Sequence, residues 1–463
     1  MKKVIISVLL LAFLAIEAYG QQLAFPTAEG YGKFSKGGRG GVVFEVTNLN
    51  DDGEGSLRAA VEAEGARTVV FRVSGTIDLL SPLIVKNPYL TIAGQTAPVD
   101  GICLKRNPLI IDADHVVIRY IRVRLGNESG EDADAVSSRY VKHLILDHVS
   151  ASWSVDETMS IYHCDSITVQ WCIISESLFN SNHIKGAHGF GGIWGSNYGS
   201  YHHNLIASHG SRNPRMASGS GFTDYRNNVL YNGGYNSCYG GENQQAGNDK
   251  FNFSRFNIVA NYYKPGPATS PGETSWRLVN PSMRKVTSDF GKWYVDDNVI
   301  EGNEKVTANN WDGGVQPSGG AENIQYVKLD EPWEAMPINQ QTAGEAYLLV
   351  LQKAGAVLPQ RDAIDDRIIG EVKAGEAAFE GVSYKKNKKL RDTSKKTGII
   401  DSQSDVGGWP ILRSTEAPID SDHDGMPDEW EEKNKLNKND PSDGNDLADD
   451  GYTWLEKYLN SFF

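Results

Sequence analysis

The sequence predicts an all-β chain wound as a parallel β-solenoid, followed by a C-terminal extension and a small calcium-binding tail. Three observations predict it. Short apolar, β-branched stretches recur through the middle of the chain; asparagine returns at one strand-relative place, at 204, 228, 257 and 298; and the composition, with 48 glycines, is that of a turn-rich chain. In a solenoid each coil adds a rung of strands to a stack, and the variable excess leaves as loops on one side. A β-sandwich would show hairpin turns in place of a recurrent polar residue.

The elements follow in order. Residues 1–20 begin with Lys2 and Lys3, run apolar from Val4 to Ile16 and end small at Ala18 and Gly20. That pattern is a secretory signal peptide and predicts a secreted or periplasmic protein. Its apolar run falls short of the ~20 residues of a spanning helix, and no later segment predicts a membrane span. No cysteine stands at the cleavage point to take a lipid.

Residues 21–303 form the predicted solenoid. Thr27 to Gly94 reads as a cap with early coils, including a short helix near Gly55 to Glu62, because an uncovered solenoid end would recruit other chains. The repeat aligns at Tyr120, His148, Cys172, Asn204, Asn228, Asn257 and Asn298, in coils of 24 to 41 residues. Stacked asparagines can bond from coil to coil and satisfy turn backbone that would otherwise be buried unpaired.

Residues 304–415 form an extension in which Ala343 to Gly355 is helical and Lys385 to Lys396 is a basic, exposed loop. Residues 416–463 form the tail. There Asp420, Asp422, Asp424, Asp428 and Glu431 fall at positions 1, 3, 5, 9 and 12 of a loop with Gly425 at position 6. This spacing wraps a chain around calcium. The acidic stretch from Asp440 to Glu456 is a candidate second half-site.

The net charge of -14 argues against nucleic acid and anionic membranes as partners. Four cysteines, Cys103, Cys164, Cys172 and Cys238, are too sparse for a disulfide scaffold, so free buried thiols are expected. A monomer is expected.

The chemistry gathers between Asp132 and Arg215. Carboxylates come first, at Asp132, Asp134, Asp156 and Glu157, and fixed cations follow, at Lys185, Arg212 and Arg215. The proton beside a uronate carboxylate is weakly acidic, so β-elimination requires that carboxylate to be neutralised. Several oxygen ligands holding calcium supply this. Asp132 and Asp134 alternate along an extended segment and would share one face. Arg212 and Arg215 can grip substrate carboxylates in bidentate fashion. Spacing alone assigns them electrostatic stabilisation, since arginine is a poor base.

From about Ala24 to Asn303 the chain resembles the pectate lyases of polysaccharide lyase family 1. The resemblance rests on Asp132 and Asp134, Ile145 to His148, Asp156, Lys185 after a histidine-containing loop, and Ser211 to Arg215. It implies a right-handed parallel β-helix, calcium between substrate and protein, Arg212 as proton-abstracting base, and Lys185 and Arg215 as binders of substrate carboxylates. Asp134 and Asp156 match two of the family's three metal positions. The third appears as Ser160, a departure for which Glu157 would compensate. His148 is expected to be structural, and the tail resembles calcium-binding type 3 repeats.

The expected activity is calcium-dependent cleavage of de-esterified polygalacturonate, a pectic polysaccharide, to unsaturated oligogalacturonides. The alternatives are a pectin lyase on methylated polymer, a β-helix glycoside hydrolase, and a non-catalytic glycan-binding solenoid. A hydrolase needs a pair of carboxylates, but that leaves Lys185, Arg212 and Arg215 without a role.

Overall fold

Each coil of the chain visits three faces in turn. The computed structural model describes residues 21–244 and 251–462, so the predicted leader lies outside the described residues. One face is a nine-stranded sheet reaching from Gly75–Asp78 to Val299–Ile300. The other two merge into a 16-stranded sheet, because the strands Met159–Gln170 and Ile193–His202 run around the corner between them. A register shift between Tyr162 and Asp165 supplies the bend. Pairing within both sheets is parallel, which gives the parallel β-helix.

The interior is built from identical register positions. Ile92, Ile118, Leu146, Val169, Tyr201, Tyr225, Ile258 and Val295 pair in succession from coil to coil, and each is at most 1% exposed. Strands buried on both sides read as continuous apolar runs, which is why they were visible in the sequence. Each such side chain contributes roughly 1.5–3 kcal/mol.

The asparagine ladder exists, with one member corrected. Asn204, Asn228, Asn261, Asn298 and Asn310 stack, each side-chain oxygen accepting from the backbone N–H and the amide of the one before at 2.8–3.1 Å. Asn257 is not a rung. It lies within the strand Ser254–Val259 and donates instead to the Trp333 carbonyl. Tyr120 and His148 likewise sit one residue ahead of the ladder position, in the left-handed bend, with φ of 55° and 56°. There they stack in a column of rings, Tyr120 on His148 at 4.6 Å, His148 on Trp171 at 6.1 Å and Trp171 on His203 at 4.2 Å. His148 thus takes a place in a structural stack.

The coiling continues past residue 303. Asn310 closes the ladder, and Val315 and Lys328 bridge in parallel to Val279 and Trp293. The chain then returns along the outside. Helices Ala343–Lys353 and Ala363–Ala374 lay Val350, Leu351, Ile368, Ile369 and Val372 against Ile173, Leu205, Val229 and Tyr231 of the nine-stranded sheet. Buried Arg124 pins the second helix through Asp362 and Asp365, at 2.7 and 2.9 Å. The tail docks on the first coils, where Met426, Leu455 and Leu459 cover Val70 and Ala93. The four cysteines are free and buried.

Candidate active site

The site-bearing loops all leave the nine-stranded sheet and enter the strands of the next face. Val136 pairs with Met159, Glu157 bridges Phe190, and Phe190 bridges Ser211. Asp134, Glu157, Phe190 and Arg212 therefore occupy almost the same place in four consecutive coils. Residues far apart in sequence become stacked neighbours because the parallel register repeats. Asp132 and Asp134 lie in irregular chain ahead of the strand Val136–Arg139, so the expected strand face is not what positions them.

Carboxylate oxygens of Asp134, Asp156 and Glu157 lie within 4.8 Å of one another. Asp134 accepts the Glu157 N–H at 3.0 Å. Burial, reinforced by the Asp156 charge, pushes the Asp134 carboxyl up to about 8, against the pull of the Ser160 hydroxyl and Arg212. Burial acts the same way on Asp156. There it is outweighed by His188, Arg212 and His183, which hold the carboxyl below its ordinary range. Crowded carboxylates raise one another's pKa, and a cation bound among them would relieve that repulsion. Oxygen donors from three carboxylates, with the Ser160 hydroxyl beside them, suit a hard cation such as calcium.

Arg212 faces these acids. Its guanidinium pairs with Glu157, lies 3.8 Å from Asp156, and rests 4.5 Å from the Phe190 ring. Arg215 follows on the strand, paired with Glu242 at 3.2 Å. Lys185 is exposed on the 180–188 loop. Asp132 is drawn to that loop, 2.9 Å from His183 Nε2.

Two histidines complete the group. His183 and His188 stack at 3.6 Å, and His188 Nε2 stands 2.6 Å from Asp156. The Lys185 N–H donates to His183 Nδ1 at 3.0 Å. That bond leaves the His183 proton on Nε2, facing Asp132. His188 and Glu242 went unseen in the sequence. For His188 the trace was a second imidazole five residues after the first; Glu242 carried no signal, being brought to Arg215 only by the coil-to-coil register.

The tail forms a second acidic cluster. Asp420, Asp422 and Asp424 converge, and so do Asp424, Glu431 and Asp443. Gly425 makes the sharp turn with φ 91°, its amide donating to Asp420. Both oxygens of Asp422 and of Glu431, with one each from Asp424 and Asp443, are buried and accept no hydrogen bond. Burial and the neighbouring acids push Glu431 up to about 8 and Asp424 up to about 7. These are oxygens that a cation would satisfy. Asp428 stands apart from the cluster, since it caps the chain at Ser421, accepting from its N–H at 2.7 Å. Asp443, from the second acidic stretch, joins in its stead, so the two stretches make one composite site.

No protein-family model matches the chain. A relative from Aspergillus flavus named "Probable pectate lyase C" is 34% identical over 445 residues, covering 95% of this chain and 94% of its own. One of the same name from Aspergillus terreus is 36% identical over 443 residues, with 95% and 94% covered. The crystal structure of Jun a 1, the major allergen from cedar pollen, superposes with a TM-score of 0.53 at 18% identity, over 71% of this chain and 93% of that one, and shares the fold. With that identity sustained along nearly the whole chain, over a stacked column of acids facing arginines, the chain belongs to the pectate lyase family and is a polysaccharide lyase.

Proposed function

We propose that the chain is a calcium-dependent pectate lyase acting on de-esterified polygalacturonate outside the cytoplasm, as a monomer. One observation supports this reading most: Asp134, Asp156 and Glu157 form a half-buried acid cluster directly opposite Arg212 in the coil stack. Asp134, Asp156 and Glu157 hold calcium in this reading, with Asp132 kept in place by His183. Calcium supplies neutralisation of the uronate carboxylate, which acidifies the adjoining proton.

The side chains do the rest. Lys185 and Arg215 grip carboxylates of the polymer and fix its register. Arg212 takes the acidified proton; the electron pair left behind becomes a carbon–carbon double bond and expels the glycosidic oxygen, which takes up a proton. The tail, through Asp420, Asp422, Asp424, Glu431 and Asp443, acts as a calcium-held clasp on the first coils. In this reading residues 1–20 are a leader and 416–463 a tail, and the solenoid begun at residue 21 runs on into the segment 304–415, where its last coils lie.

The test is cleavage of polygalacturonate followed by the ultraviolet absorbance of unsaturated uronides, with and without chelator. Absorbance that rises and is abolished by chelator is expected. New reducing ends without absorbance would establish a hydrolase. Faster reaction on methylated polymer would establish a pectin lyase, and binding without product a glycan-binding solenoid.

A further inference from the structure

The column that holds Arg212 does not end there. Arg215 pairs with Tyr239, and Cys238 pairs with Val279, so Asn236 and Arg277 follow Arg212 at the same place in the next two coils. The column thus reads Asp134, Glu157, Phe190, Arg212, Asn236, Arg277, from acidic to basic along the stack.

Arg277 differs from the two arginines already described. Arg212 is paired with Glu157 and Arg215 with Glu242. Arg277 makes no ion pair among the described residues; it is aimed by two neutral oxygens, Gln316 Oε1 at 2.7 Å and Asn236 Oδ1 at 3.0 Å. Half-buried, it keeps guanidinium N–H groups beyond those two bonds, since the fork carries five donors.

A second cation meets the same loop from the extension. Lys388 places its ammonium 3.7 Å from the centre of the Tyr235 ring, the neighbour of Asn236. Tyr235 in turn packs beside Ser211 and Arg212. Lys388 is half-buried and likewise forms no ion pair among the described residues. The basic stretch 385–396 was expected to be exposed throughout; packing of the extension brings this member to the rim of the site. Half-burying a cation away from acids has a desolvation cost, which an anion bound between the two would offset.

We propose that Arg277 and Lys388 form an additional subsite for a uronate carboxylate, beyond Arg212 on the C-terminal side of the coil stack. It rests on the reading of the chain as a lyase of an acidic polysaccharide. It makes the enzyme sensitive to chain length, because only an oligomer long enough to pass Arg212 by several residues reaches both cations.

The experiment compares wild type with Arg277→Gln, Lys388→Met and the double variant on oligogalacturonides of increasing length and on polymer. For polymer and long oligomers, KM is expected to rise roughly 5- to 30-fold in the double variant, with kcat within about twofold. For the shortest cleaved oligomers, neither constant should move. Arg277→Lys should restore part of the KM, since it keeps the charge without the fork. An unchanged KM on long substrates would overturn the subsite, and so would an equal loss at every length, which marks disturbance of the Arg212 loop. Lys388→Met, on the surface of the extension, guards against misfolding of the Arg277 variant. Wild type that yields no unsaturated product would instead refute the lyase reading itself.

Discussion

Arg212 stands with its backbone in the left-handed region, φ 53°, a conformation a non-glycine residue holds only when its surroundings enforce it. From that bend the side chain reaches over Phe190, with Glu157 and Asp156 before the guanidinium. Arg212→Lys is therefore expected to lose on the order of 10²–10⁴-fold in turnover, because a lysine cannot place a nitrogen at the same point from that backbone. Arg215→Lys should mainly raise KM. Steady-state kinetics on polygalacturonate check both, and retained turnover in Arg212→Lys with loss in Arg215→Lys would reverse the roles. Asp134→Asn keeps the shape of the acid cluster but removes a charge. The calcium concentration for half-maximal activity is expected to rise by about tenfold or more. A calcium titration in chelator buffer reads this, and an unmoved midpoint would take Asp134 out of the metal site.

At the scale of an element, the ladder and the tail loop make opposite demands. Asn261 satisfies the Asn228 N–H and amide through one oxygen, and donates to the Tyr225 carbonyl and to Asn298. Asn261→Ala leaves buried groups unpaired in two adjacent coils, and is expected to cost about 2 kcal/mol or more. Asn257→Ala, which removes bonds to the Trp333 carbonyl and to Asp224 but breaks no ladder rung, should cost less. Denaturant unfolding compares the two, and equal losses would mean that the ladder has no special weight. In the tail, Glu431 is fully buried with both oxygens unpaired. Glu431→Gln is expected to abolish most of the calcium-dependent rise in thermal midpoint while leaving turnover within about twofold. A folded variant without turnover would mean that the clasp shapes the active site.

The whole molecule has two sets of displaced titrations with opposite signs. Burial holds His203 and His209 down to about 4 against an ordinary 6.5, and His202 well below it. The unfolded chain binds their protons first, so this part of the stability is complete above about pH 6.5 and is lost as pH falls toward 4. Each contributes up to about 1.4 kcal/mol per pH unit within that window. Asp134, Asp424 and Glu431 are pushed up instead. Without calcium they cost stability as pH rises from about 4 to 8, because the folded state holds their protons. Between about pH 4 and 8, thermal unfolding in saturating calcium should therefore fall off only on the acid side, with a shallower fall for His209→Gln. In chelator, neutral and alkaline pH should lower the midpoint as well, so the stabilisation by calcium should grow with pH. A calcium increment independent of pH would contradict the raised carboxyls.

The solenoid was legible in the sequence because a parallel β-helix gives every coil an apolar inward row, buries many strands on both sides, and repeats. Its apolar runs and its asparagines recur at intervals a reader can align. So were the acids and the arginines, since the chemistry of an acidic polymer needs both. The errors came where coils differ in length: Asn257 was read for Asn261 because the coils flanking that rung are longer than those before it. Asp428 stands at loop position 9, where a ligand often acts through water, and its carboxylate accepts from the Ser421 N–H. What only the tertiary structure decided is which residues meet across coils and from the returning extension. Stacking put Glu157, Phe190, Arg212 and Arg277 in one column, and packing brought His188 to Asp156, Glu242 to Arg215 and Lys388 to Tyr235. Linear spacing cannot reveal such contacts, because each depends on how many residues the intervening loops consume before the next strand begins.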